Sequence, residues 1–227
     1  MTEWPSYGAP TRAGQVTTVR LPGAPAQAYY LGLDLGQQQD HTAIAIAERL
    51  EVESGAAERP AAQYHCRHLE RLPLGTPYPQ VVERLRTLVA RPPLRGAVRL
   101  AVDATGVGLP VVDMLKAADL GGAPLYPVLI TAGAHVTHEH GVYRVPKQTL
   151  VAGLQVLLQS GRFKVAPALP EAATLTRELL GFKVRITAQA HETFEAWREG
   201  VHDDLVLAAT LAVWLGEWQH AHRWQFW

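Results

Sequence analysis

The residues best placed to do chemistry are aspartates at the ends of apolar runs. Asp34 ends the apolar part of "YYLGLDLG", and Asp103 closes "GAVRLAVD" just before "ATGVG". Asp203 and Asp204 stand behind His202 at the head of "DDLVLAATLAVW". A carboxylate inside an apolar strand is costly to desolvate unless it is paired or holds a cation. Several carboxylates brought into one small volume repel one another until a divalent ion neutralises them. Oxygen-only ligation favours Mg²⁺ or Mn²⁺ over zinc. Two such ions suit phosphodiester hydrolysis, one activating water and the other stabilising the leaving oxygen. The simpler reading of Asp203 and Asp204 is a helix cap with acids favoured by the helix dipole, and the two roles are compatible. His202 is placed to orient a carboxylate or assist a water.

These acids need elements to hold them. "AQAYYLGLDLG", "HTAIAIAERLEV" and "AAQYHCRHLERLPL" read as three strands joined by short links, which predicts an antiparallel meander. The period then changes. "PQVVERLRTLVARPP" puts Val81, Val82, Leu85, Leu88 and Val89 on one helical face, stopped by the Pro pair. "GAVRLAVDATG" predicts a buried central strand, "GLPVVDMLKAADLGG" a helix, and "APLYPVLITAG" another strand. A polar loop "AHVTHEHGVYRVP" precedes the helix "KQTLVAGLQVLLQSG" and the short strand "RFKVAP". "PEAATLTRELLGF" predicts a helix, "KVRITAQAHETFEAW" a hairpin turning near Ala188–His191, and "DDLVLAATLAVWLGEWQHA" a final helix. Residues 1–27, rich in Pro, Gly, Ala and Thr, read as a flexible tail, and residues 221–227 as an aromatic C-terminal tail.

The order of these elements resembles the ribonuclease H-like fold. Within it, "GLDLGQQQDHTAIAI", "VDATGVGLPVVDML" and "HDDLVLAATLA" resemble the nuclease domain of large terminase subunits from tailed bacteriophages, over residues 28–220. The resemblance implies an α/β domain with a mixed five-stranded central sheet, three antiparallel strands followed by parallel additions, flanked by helices. It implies a metal-dependent DNA endonuclease that hydrolyses phosphodiesters with two Mg²⁺ or Mn²⁺ ions. Asp34 would be the first-strand metal ligand, Asp103 the bridging acid, and Asp204, with Asp203 beside it, the third carboxylate. Gly106 and Gly108 would permit the tight turn after Asp103. The implied partners are double-stranded DNA and a separate ATPase, small terminase or portal subunit, in a bacterial cytoplasm and a phage or prophage context. Two departures stand out. No Gly-x4-Gly-Lys-Ser/Thr loop occurs, so the chain is not expected to be a packaging motor by itself. Leu207 also stands where many relatives carry a further aspartate, which leaves the third acid open between Asp203 and Asp204.

Other features constrain the reading. Lys plus Arg and Asp plus Glu balance at 21 each, so DNA binding must come from a local patch rather than a global basic excess. The candidates lie in the second half of the chain. Lys147, opening a helix after Pro146, is the first choice for a backbone contact, with Arg144, Lys183 and Arg185 beside it. One cysteine, Cys66, excludes an internal disulfide. No apolar run is long enough for a transmembrane helix, and the N-terminus is not that of a secretory signal. His135, His138 and His140 read as a solvated loop rather than a zinc site, since they lack cysteine partners and a rigid helical spacing. Asp40 reads as a turn residue, Asp113 as solvent-facing, and Trp214 with Trp218, one helical turn apart, as packing in the core or on a partner. Three other functions stay open. They are a structure-selective resolvase for branched DNA, a non-catalytic assembly module docking on a packaging partner, and, more remotely, half of an actin-like or sugar kinase-like ATPase suggested by "LGLDLG".

Overall fold

A computed structural model describes residues 28–36, 40–52, 61–106, 108–188 and 203–222. The proposed tail over residues 1–27, His202 and residues 223–227 lie outside the described residues.

The strands form where β-rich runs can be buried. β1 (Ala28–Asp34), β2 (Ala43–Val52) and β3 (Ala61–Arg71) form the expected antiparallel meander. β4 (Val98–Asp103) adds in parallel beside β1, and β5 (Leu125–Thr131) in parallel beside β4. The connections run through α1 (Tyr78–Val89) and α2 (Gly108–Ala117). Parallel neighbours need such crossovers, because the chain must return to the start of the next strand. α1 buries Val81, Leu85, Leu88 and Val89, as its spacing predicts.

The sheet is wider than the five strands expected. Eight strands run in the order β6-β7-β5-β4-β1-β2-β3-β8. One edge is a hairpin of β6 (Thr137–Glu139) and β7 (Val142–Pro146), where the sequence suggests only a polar loop. The hairpin turns on His140 and Gly141, with φ of 52° and 77°. Two successive residues at positive φ match the twist of paired strands, as an Asn-Gly turn would. β6 is exposed along its length, so no apolar alternation marks it. At the other edge β8 (Phe163–Val165) pairs in parallel with β3 after α3 (Lys147–Gln159).

A second correction concerns residues 183–188. Instead of entering a hairpin they continue α4 (Ala172–Ala188). The alternating β-branched residues of "KVRIT" favour a strand locally, but extending an existing helix needs no new nucleus. The last helix, α5 (Asp204–His222), is apolar on almost every side and is buried along most of its length. It packs across β1, β2, β3 and β4 and against α3 and α4. Three layers result, with α1 and α2 on one sheet face and α3, α4 and α5 on the other. No described helix is long and apolar enough to cross a membrane.

The two sheet faces differ in side-chain size. Towards α1 and α2 point Leu31, Leu33, Ile44, Ile46, Leu100 and Val102. Towards α5 point Gly32, Ala43, Ala45, Ala47 and Ala101, together with the larger Tyr30, Tyr64 and Leu69. A Cβ at Gly32 would lie 1.8 Å from the Ala208 carbonyl oxygen, so only glycine allows this approach. The small residues let the helix backbone rest close to the sheet, which fixes where its first turn falls.

Candidate functional site

Asp34 and Asp103 are the last residues of neighbouring parallel strands. The register pairs Leu33 with Val102, so the two acids stand side by side at the carboxyl end of the sheet. Side chains alternate along a strand. Leu33 and Val102 face α1 and α2, so Asp34 and Asp103 face α5. The contact of Gly32 with Ala208 places the first turn of α5 near Asp34, since Asp204 precedes Ala208 by one turn. The helix runs antiparallel to β1. Its far end contacts Tyr64 through Gly216 and Glu51 through His220, at 3.2 Å, beside the start of β1. Three aspartates from β1, β4 and α5 are thus gathered at one end of one sheet face. They are 7%, 7% and 4% exposed.

Each acid has a local device that holds it. Asp103 Oδ1 accepts the Thr105 N–H at 2.8 Å, and Thr105 Oγ1 accepts the Ile130 N–H at 3.0 Å. The turn is pinned further by Gly106, at φ 72°, and Gly108, where a Cβ would come 2.6 Å from the Asp103 carbonyl oxygen. Both glycines therefore serve the turn that the sequence implies. After β1, the Gly36 N–H donates to Thr42 Oγ1 at 3.1 Å, while Asp40 is exposed at the bend.

At α5 Asp203 stands at the helix boundary and Asp204 is the first-turn acid, as expected, and a further side chain joins the cap. The Leu207 N–H donates to the Asp203 carbonyl at 2.9 Å, which makes Asp203 the residue at the helix boundary. The side chain that receives the next free N–H groups comes from α4. Glu178 Oε2 accepts Leu205 N–H at 3.1 Å and Val206 N–H at 3.2 Å. Burial pushes the Glu178 carboxyl up to about 7 and the nearby Asp204 adds to the rise, while the α5 N–H groups and Arg71 oppose it. The sequence carries a signal for Glu178 that the reading above missed. Together with Ala172 and Leu175 it forms an i, i+3, i+6 row, so an acid falls on the apolar stripe of its helix.

Arg71 completes this corner. It pairs across the sheet with Ala43, which pairs with Asp34, so it lies at the level of the acids. Its terminal nitrogens stand 3.6 Å from Glu171 and 3.8 Å from Glu178.

The other candidates fall in different places. Lys147 opens α3 directly after β7, half-buried, on the same end of the sheet as Asp103. Arg144 alternates with Tyr143 and Val145, which pack on the α5 side, so it faces away from the acids; it is exposed, 3.8 Å from Glu139. Lys183 and Arg185 lie in the second half of α4, where the side chains are outside the described residues, as His202 is entirely. Asp113 is exposed beside Lys116, at 3.7 Å. His138 stacks on Tyr143 at 4.1 Å between ring centroids, while His135 and His140 are exposed. Trp214 and Trp218 stack on each other at 5.9 Å and meet Tyr143 edge-on. Burial raises the Cys66 thiol to about 12, so it is an inert core residue.

Among the described residues, no group of three or more His, Cys, Asp or Glu is already disposed as a cage around one ion. The donor set at the acid corner consists of buried carboxylates alone, the chemistry that suits a hard divalent cation. Asp34, Asp103 and Asp204 are the residues that would hold it. No protein-family model matches the chain. No curated protein matches it either.

Proposed function

We propose that this chain is a metal-dependent DNA endonuclease with a ribonuclease H-like fold, related to the nuclease domain of phage large terminase subunits. The observation that carries the reading is the gathering of buried Asp34, Asp103 and Asp204 at one end of one sheet face. The central strand order β3-β2-β1-β4-β5 supports it, since it joins an antiparallel meander to two parallel additions. Mg²⁺ or Mn²⁺ ions, when bound, would supply activation of water and stabilisation of the leaving oxygen. The protein's part is to fix the carboxylates. Asp103 is oriented by Thr105, Asp34 by its place at the end of β1, and Asp204 by a helix capped from Glu178. Glu178 also keeps the first turn of α5 from fraying, so the third acid stays in register with the other two.

The test is Mn²⁺-dependent cleavage of plasmid DNA by wild type and Asp103→Asn. The variant is expected to lose cleavage while keeping its circular dichroism spectrum and urea midpoint. Full activity in Asp103→Asn would remove the reading. A panel of four-way junctions against linear duplex then separates a general endonuclease from a junction resolvase.

A further inference from the structure

Arg71 ends β3 on the same sheet face as the acids, because Leu69, two residues earlier, belongs to the α5 core. It lies two strands away from Asp34, or about 10 Å at the usual strand spacing. A guanidinium carries five N–H donors in a planar fork. Here Nε is buried with no hydrogen-bond partner. The terminal nitrogens meet Glu171 and Glu178 only at 3.6 and 3.8 Å, beyond hydrogen-bond length. An arginine committed to a carboxylate sits closer, at about 2.7–2.9 Å. Arg71 is therefore balanced in charge while its terminal donors remain available. Glu178 commits Oε2 to Leu205 and Val206, and its Oε1, which faces Arg71, stands too far away to accept a hydrogen bond from it. Glu171 is the more exposed partner and has φ 64°, a conformation that non-glycine residues seldom adopt.

We propose that Arg71 binds a backbone phosphate of the DNA strand close to the phosphate facing the aspartates, exchanging Glu171 for it. The inference rests on the nuclease reading of the acid corner. A separation of about 10 Å is short enough for two phosphates close together on one strand to meet the aspartates and Arg71 at once. The fork geometry of a guanidinium matches two phosphate oxygens, and no hydrogen bond has to break when Glu171 gives way.

The experiment measures binding of a fluorescent duplex to the full chain across a salt series, with Ca²⁺ as the divalent ion and gels to check that the duplex stays intact. Arg71→Gln should weaken binding about tenfold and lower the slope of log K against log salt by about 0.9, the signature of one lost phosphate contact. Arg71→Lys keeps the charge without the fork and should fall between the two. Glu171→Gln, which leaves the arginine in place, should bind about threefold more tightly. Wild-type affinity and salt slope in Arg71→Gln, or weaker binding by Glu171→Gln, would overturn the proposal while leaving the nuclease reading intact. Failure of the wild-type protein to bind the duplex or cleave DNA would overturn both.

Discussion

The two faces of the sheet are built on opposite rules. One presents large aliphatic side chains to α1 and α2, while the other sets glycine and alanine of β1, β2 and β4 under α5 beside the larger Tyr30, Tyr64 and Leu69. Large side chains stabilise by the area they remove from water, and neighbours can partly relax around a change. Small ones leave the distance between helix and sheet to the backbones, where little relaxation is possible. The α5 face also carries the acids, so the face where glycine and alanine let helix and sheet backbones meet is the one that sets the site's geometry. Stability and positional accuracy are thus assigned to opposite sides of the same strands.

Charge follows the same division. On the α1 side, burial would raise the Glu70 carboxyl, but hydrogen bonds from His68 and Arg84 outweigh it and hold the group at about 2. On the α5 side Glu178 is pushed the other way, to about 7. One glutamate is anchored as an anion and the other is held where its charge is disfavoured.

Substitutions can break this contrast, ordered here by their expected effect on stability. Leu100→Ala, on the aliphatic face, should lower unfolding free energy by about 2–5 kcal/mol in urea titrations, while the folded fraction keeps its cleavage rate. Gly32→Ala should cost a comparable amount, about 3 kcal/mol or more, because the added Cβ meets backbone, and should also reduce plasmid cleavage by about a hundredfold by displacing α5 from the strand ends. Equal losses of rate in the two variants would mean that the faces are not specialised. Glu178→Ala removes the cap of α5 and should cost about 0.5–2 kcal/mol, with faster amide exchange at Leu205 and Val206 than elsewhere in the helix.

The smallest expected effects are in the pH profile of the urea midpoint. Glu178 holds its proton more tightly folded than unfolded, so its contribution is present below the ordinary glutamate value of 4.5 and is lost as pH rises through about 7. Glu70 has the opposite sign, with a contribution present above 4.5 and lost as pH falls towards about 2. Glu178→Gln should flatten the profile between 4.5 and 7, and Glu70→Gln should flatten only its acid arm. The same change in both variants would dissolve the distinction.

Much of this corner was legible in the sequence because its acids interrupt apolar runs. Asp34 and Asp103 end strands whose neighbours are almost wholly apolar, and Asp204 precedes a helix with no polar face. The meander, α1 and α5 were legible for the same reason, since burial imposes a period on the residues. β6 was not, because an exposed edge strand imposes none and its turn is His140–Gly141 rather than Asn-Gly. The end of α4 was misread because local β-preference in "KVRIT" yielded to the helix already formed before it. Glu178 and Arg71 escaped for a different reason: their roles depend on contacts between distant elements, Arg71 lying far from both Glu178 and α5 in the chain.

That long-range assembly has a consequence for the birth of the protein. Asp34 and Asp103 leave the ribosome well before Asp204, and the sheet face they occupy stays uncovered until α5 arrives to cover it. Contacts so distant in sequence form late, after much of the chain has collapsed. A nascent chain stopped before residue 203 would carry two of the three acids on a sheet face with no α5 to cover it. The last helix thus acts as a key turned late, closing a corner that the earlier strands leave half built.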